Sequence, residues 1–191
     1  GIARVAIFVL VAFAIGATTT LGFFLSALTS DVTPIWPAAG VAVACVLLLG
    51  RRALLGIIAG TWAAYLVADT AVLASLGPAI SDALEAFVAA TLYRRFARSR
   101  LLGSDTVENL AWIPAVVVAS AVGAVVGAGS LTLGDALSWS DMSALGSARW
   151  SSHVLGALAV APALLAAIDE CAGQFRVTRL LRFLTLLLIL M

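Results

Sequence analysis

Leu92-Tyr93-Arg94-Arg95-Phe96-Ala97-Arg98-Ser99-Arg100 closes an apolar stretch with four arginines. The same punctuation recurs along the chain. Arg4 precedes the first apolar stretch, Arg51 and Arg52 part the second from the third, and Arg176, Arg179 and Arg182 follow the sixth. The 11 lysine-plus-arginine positions are all arginines. Between successive clusters lie two apolar stretches, and the polar gap separating them carries almost no positive charge. Arg149 alone departs from this. Arginine and lysine collect in the cytoplasmic loops of membrane proteins, so the clusters mark one side of a bilayer. The pattern predicts an all-α polytopic transmembrane helix bundle with its N-terminus in the cytoplasm.

Composition excludes a soluble globule. The chain is 63% hydrophobic and 11% charged, against roughly 25% charged in ordinary soluble domains. The arginines serve orientation, so the net charge of +1 gives no reason to expect a nucleic-acid partner. Cys45 sits in an apolar stretch and Cys171 in an expected cytoplasmic loop, where thiols stay reduced. The first apolar stretch is too long for a signal-peptide core and no clear cleavage site follows it. The chain opens without Met and stops within the apolar run Leu180–Met191, so we expect a single membrane domain over 1–191 that is a piece of a longer protein.

Six complete spans and a truncated seventh are expected. They run over Val5–Leu28, Trp36–Gly50, Ala53–Val72, Pro78–Phe96, Leu110–Leu133 and Trp150–Ile168, with a seventh starting after Arg182. A polar outer loop through Gly134, Asp135, Trp139 and Asp141 joins the fifth to the sixth. The second helix is short, about 13 residues or 20 Å, and an irregular Trp-Pro segment precedes it. Gly56/Gly60 and Gly123/Gly127 form two GxxxG pairs, which suit close helix packing.

Ionisable residues inside a span are costly and mark functional candidates. Counting 1.5 Å per residue from the nearest inner-side charge places Glu85 about 13 Å up, with Asp82 one turn higher. The same count puts Trp36 about 22 Å, His153 about 24 Å and Asp69 about 25 Å up. The unusual groups of four helices thus converge on the outer half of the membrane. Asp82 and Glu85 are three apart and share a helix face. Thr33-Pro34-Ile35-Trp36-Pro37-Ala38-Ala39-Gly40 leads irregularly into a helix start, and such starts at membrane depth build ligand sites. The candidate ligand-binding residues are Trp36, Pro37, Gly40, Asp82, Glu85, Trp150 and His153.

Each candidate has a plainer reading. Pro37 is also an ordinary first-turn proline. Glu85 can be a structural carboxyl, Asp82 and Asp69 solvated helix ends, and His153 an interfacial hydrogen-bonding residue. Trp36, Trp139 and Trp150 suit an outer aromatic belt, and Trp112 and Tyr93 an inner one. A metal set of His153, Glu85, Asp82 and Asp69 is chemically possible, but nothing in the spacing demands it and no metal is expected. Nor is an enzyme: the chain has no nucleophile with a base at recognisable spacing and no phosphate loop.

Ile35-Trp36-Pro37-Ala38-Ala39-Gly40-Val41-Ala42, followed by a leucine-rich run and Gly50-Arg51-Arg52, resembles the bacterial membrane-associated sensor domain family, first type (MASE). Leu84-Glu85-Ala86 with Leu92-Tyr93-Arg94-Arg95 resembles that family's Leu-Glu-Ala and Leu-Leu-Arg-Arg segment. Trp150, Gly156, Ala161-Pro162 and Leu164-Leu165 resemble its Trp, Gly-Asp-x-x-Gly and Ala-Pro-Leu-Leu segment. The likeness runs in order from Val32 to Ala167. Where the family often has Gly-Asp, this chain has Ser152-His153, so His153 stands in for a carboxylate. The resemblance implies about eight helices in a bacterial inner membrane, coupled to a cytoplasmic histidine kinase or diguanylate cyclase in cis or trans. It names no stimulus and no cofactor.

The function expected is therefore a sensory input domain reading a small ligand or membrane condition. Its partners are the bilayer, an output module and, in some arrangements, a second copy or larger assembly. A substrate-binding subunit of an uptake transporter, or a structural subunit of a membrane complex, are the alternatives.

Overall fold

The computed structural model describes residues 2–28, 34–97, 106–134 and 137–171, the side chains of 106–109 and 169–171 excepted. The expected seventh span, the loop acids Asp31 and Asp135, and Arg98, Arg100, Arg176, Arg179 and Arg182 lie outside the described residues. So does the Cys171 side chain. The helices are α1 (Ile2–Leu28), α2 (Pro37–Leu49), α3 (Leu54–Val67), α4 (Val72–Phe96), α5 (Thr106–Leu133) and α6 (Met142–Cys171), with a 3-10 turn at Gly50–Ala53 between α2 and α3. No strand occurs among the described residues.

Helix α2 starts where Pro37 follows an extended Trp36 (φ −104°, ψ 95°), a backbone pre-set for a first turn. It stops at Gly50, whose φ of 65° and ψ of −150° is open to glycine but strained for other residues. The chain then reverses. Trp36 at the start of α2 and Tyr65 near the end of α3 both pack edge-on against Phe23 of α1, at ring distances of 5.4 and 5.0 Å. Arms of 13 and 14 residues reach only about 20 Å each, short of the ~30 Å hydrocarbon core.

This changes the span count. Among the described residues five helical stretches are long and apolar enough to cross a membrane: Ile2–Leu28, Pro37–Val67, Val72–Phe96, Leu110–Leu133 and Met142–Ile168. The expected second and third spans qualify only when taken together as Pro37–Val67, so six complete spans are not reproduced. Boundaries also move. Helix α3 ends at Val67, not Val72, and α4 starts at Val72, with Pro78 inside it. A proline there removes one helical hydrogen bond without ending a helix held by its neighbours. Helix α6 starts at Met142, eight residues before Trp150.

Small residues set the packing. Helices α1 and α3 meet at Gly56 and Gly60, where added side chains would strike Val11 and the Ala12 carbonyl. Helix α2 packs against α6, α4 and α1, and most of its residues are buried. It is tied down at its C-terminal end by Arg94 of α4, whose Nη2 donates to the carbonyls of Val46 (3.1 Å) and Leu47 (2.8 Å). A cation over the last carbonyls of a helix is favourable. Tyr93 and Trp112 are fully buried and stack edge to face at 5.5 Å. They belong to the core rather than to an inner aromatic belt. Trp139 and Trp150 are exposed, as a belt requires, and Trp36 is buried.

Candidate functional site

Asp82 and Glu85 face inward from α4, and Arg149 and His153 face them from α6. The spacings, three residues on α4 and four on α6, each keep two side chains on one helix face. The result is two rungs. In the first, Arg149 forms an ion pair with Asp82, the side chains being 10% and 7% exposed. Thr61 of α3 donates to the other Asp82 oxygen at 3.0 Å. In the second, His153 Nδ1 lies 2.8 Å from Glu85 Oε2, with both side chains buried. Ser120 of α5 donates to Glu85 Oε1 at 2.7 Å. Ser81 links the rungs to α5, donating to the Gly123 carbonyl at 2.6 Å and lying 3.4 Å from Arg149 Nη2.

Helix α5 makes room for this ladder. A Cβ on Gly123 would lie 2.5 Å from Glu85 Oε2, and one on Gly127 would lie 2.7 Å from Arg149 Nε. The second GxxxG pair thus accommodates buried charged side chains rather than another backbone.

Beside the ladder lies a cavity of about 270 Å³ whose walls include Phe23, Trp36, Tyr65, Arg149, Ser152 and His153. The Trp36 indole runs parallel to the His153 ring, centroids 5.8 Å apart and planes within 7°. The Trp36 backbone N–H donates to the Ser152 carbonyl at 2.9 Å. Gly156 permits this approach, because a Cβ there would collide with the Trp36 carbonyl. Tyr65 and Arg149 line the same cavity.

Of the residues expected to bind ligand, Trp36, Asp82, Glu85 and His153 come together. Gly40 is buried against Gly156 and Val160, where it lets α2 approach α6, and Pro37 is half-buried at the start of α2. Trp150 stands apart. Its indole donates to the Val117 carbonyl at 3.1 Å, and it lines a separate apolar cavity of about 490 Å³ between α5 and α6. Asp69 is exposed in the α3–α4 turn, at a φ of 63°.

Asp82, Glu85 and His153 offer ligand atoms within 4.8 Å of one another, so three of the four residues weighed for a metal converge. Arg149, Thr61, Ser120 and the Glu85–His153 bond occupy those atoms. A cation would have to displace Arg149 from Asp82 to enter. Arg149, Thr61, Ser81, Ser120 and Tyr65 were not among the sequence candidates. Arg149 did carry a signal: it is the one arginine on the wrong side of the charge pattern, as a buried ion-pair partner would be.

The family model MASE1 matches residues 5–191, nearly the whole chain. Comparison with curated proteins and with solved structures finds no match. The Trp36 segment, the Glu85 helix and the His153 helix, which carried the likeness in the sequence, are the elements that build the ladder and its cavity. The chain belongs to MASE1, a family of multi-span membrane-associated sensor domains that are sensory rather than catalytic.

Proposed function

We propose that this domain is the input half of a bacterial signalling protein. It reads a small ligand in the cavity between Trp36, Tyr65, Arg149 and His153 and passes the result to a cytoplasmic kinase or cyclase module, in cis or trans. It lies in the inner membrane with its N-terminus in the cytoplasm, an orientation supported by the arginine clusters at Arg51, Arg52, Arg94 and Arg95. In that orientation the cavity opens toward the outer half of the bilayer.

One observation carries this reading. The wall of the cavity is also the seam between helices: Trp36 begins α2, His153 and Arg149 belong to α6, and their carboxylate partners belong to α4. Helix α4 also grips the far end of α2 through Arg94. A ligand that wedges between Trp36 and His153 therefore acts on three helices at once. It shifts their packing to the extent that it binds one arrangement better than the other.

The test is the coding sequence beyond residue 191 and its gene neighbours, followed by output activity of the full-length protein carrying Trp36→Ala. A kinase or cyclase whose activity Trp36→Ala locks high or low supports the reading. A bare membrane module beside genes for an ATPase pair sinks it and favours uptake transport.

A further inference from the structure

We propose that the cavity beside the ladder recognises a small aromatic carboxylate, with Arg149 and His153 receiving the acid group and Trp36, Tyr65 and Phe23 enclosing the ring. This rests on the reading of the cavity as the sensory site and adds the chemical class of its ligand.

The titratable side chains nearest the ladder that line the cavity, Arg149 and His153, carry no carboxylate. The two carboxylates, Asp82 and Glu85, hold those bases in place but are not among the lining residues. The remaining walls are the aromatic rings of Phe23, Trp36 and Tyr65, the aliphatic side chains of Leu131, Leu145 and Ala148, and serine hydroxyls. The lining is rich in donors and poor in acceptors. Arg149 Nε and Trp36 Nε1 are buried N–H groups with no acceptor among the described residues. His153 uses Nδ1 on Glu85. Buried polar groups are nearly always paired, so two such nitrogens on residues that line one cavity mark a place for an incoming acceptor. A guanidinium N–H donates strongly to a carboxylate oxygen. Anchored by Asp82, Arg149 is already positioned when a ligand arrives.

Size narrows the class. At about 30 Å³ per water, the 270 Å³ cavity holds roughly nine waters, which is the bulk of a single substituted ring. Three aromatic walls, two of them in edge contact with the third at Phe23, favour a flat apolar body over a flexible chain.

The probes are benzoate, its neutral isostere benzamide, acetate and hexanoate, titrated into the intact purified domain in lipid nanodiscs with tryptophan fluorescence as the readout. Benzoate should bind at least tenfold more tightly than benzamide, acetate or hexanoate, and Trp36→Phe should weaken the fluorescence response. An Asp82→Asn/Arg149→Gln double variant, which removes both charges and leaves none unpaired, should abolish the preference for benzoate over benzamide while melting near wild type. Equal binding of benzoate and benzamide overturns the acid-recognition proposal but leaves a ligand-reading cavity. Tighter binding of hexanoate or acetate overturns the aromatic assignment. No response to any probe up to millimolar concentration overturns the proposal outright, while the output of Trp36→Ala continues to test the sensory reading.

Discussion

Arg149 and Asp82 form an ion pair with nine-tenths or more of each side chain buried, between two helices that contribute the next pair, His153 and Glu85, one turn further on. Taking one partner away leaves the other charge buried and unpaired, which costs about 3–5 kcal/mol. Taking both away is far less damaging. Arg149→Met should therefore lower the melting temperature in detergent sharply, and Asp82→Asn/Arg149→Met should recover most of the loss. Additive losses would mean that the pair contributes independently at each end rather than as a unit.

The second rung makes a similar prediction of smaller size. Ser120→Ala removes the donor to Glu85 Oε1 and leaves a buried carboxylate oxygen without it, at a cost of about 1–3 kcal/mol. Thr132→Ala is the matched control. Among the described residues its buried hydroxyl bonds the Ala128 carbonyl one turn back, which is already part of the helix ladder. Thermal unfolding of the two variants should separate them, with Ser120→Ala the less stable.

Gly156→Ala should be among the most damaging single-methyl additions in the domain. The new Cβ would meet the Trp36 carbonyl, so α2 has to leave α6 or the bond from Trp36 N–H to the Ser152 carbonyl has to break. Overpacking of this kind costs about 1–3 kcal/mol or more. Gly129→Ala on α5 is the contrast, since its nearest neighbour is a Met142 methyl at 3.7 Å. A Gly156→Ala protein that melts with wild type would refute the close α2–α6 seam.

Much of this was legible in the sequence. Mean hydropathy of +1.13 and the arginine clusters determine class, and Trp36, Glu85 and His153 stand out as polar or irregular residues in apolar surroundings. What failed was depth. Counting along helices put Glu85 and His153 about 11 Å apart in height, yet their side chains touch at 2.8 Å. Helix α6 has 30 residues, or about 45 Å, so its end near Asp169 is no marker of the membrane boundary. Counting also could not show that α2 and α3 are two short arms of one hairpin. That depends on Gly50 adopting a positive φ, and glycine does so in only some of its positions. The partners Ser120, Thr61 and Ser81 were illegible because a single hydroxyl in an apolar helix bonds its own backbone as readily as a neighbour.

The last prediction concerns orientation, which the arginines support and which labelling can check. In a background with Cys45→Ala and Cys171→Ala, single cysteines at Arg52 and at Ser138 should lie on opposite sides of the membrane. Arg52 sits in the turn between α2 and α3, and Ser138 sits before α6; both positions are exposed. With the N-terminus in the cytoplasm, a membrane-impermeant thiol reagent added to intact cells should label Ser138→Cys and spare Arg52→Cys until the cells are opened. The reverse pattern would place the arginine clusters outside, against the charge rule. It would also turn the Trp36–His153 cavity toward the cytoplasm, making its ligand an internal metabolite rather than an external signal. Labelling of both sites in intact cells would mean that the α2–α3 hairpin does not keep its turn on the inner side.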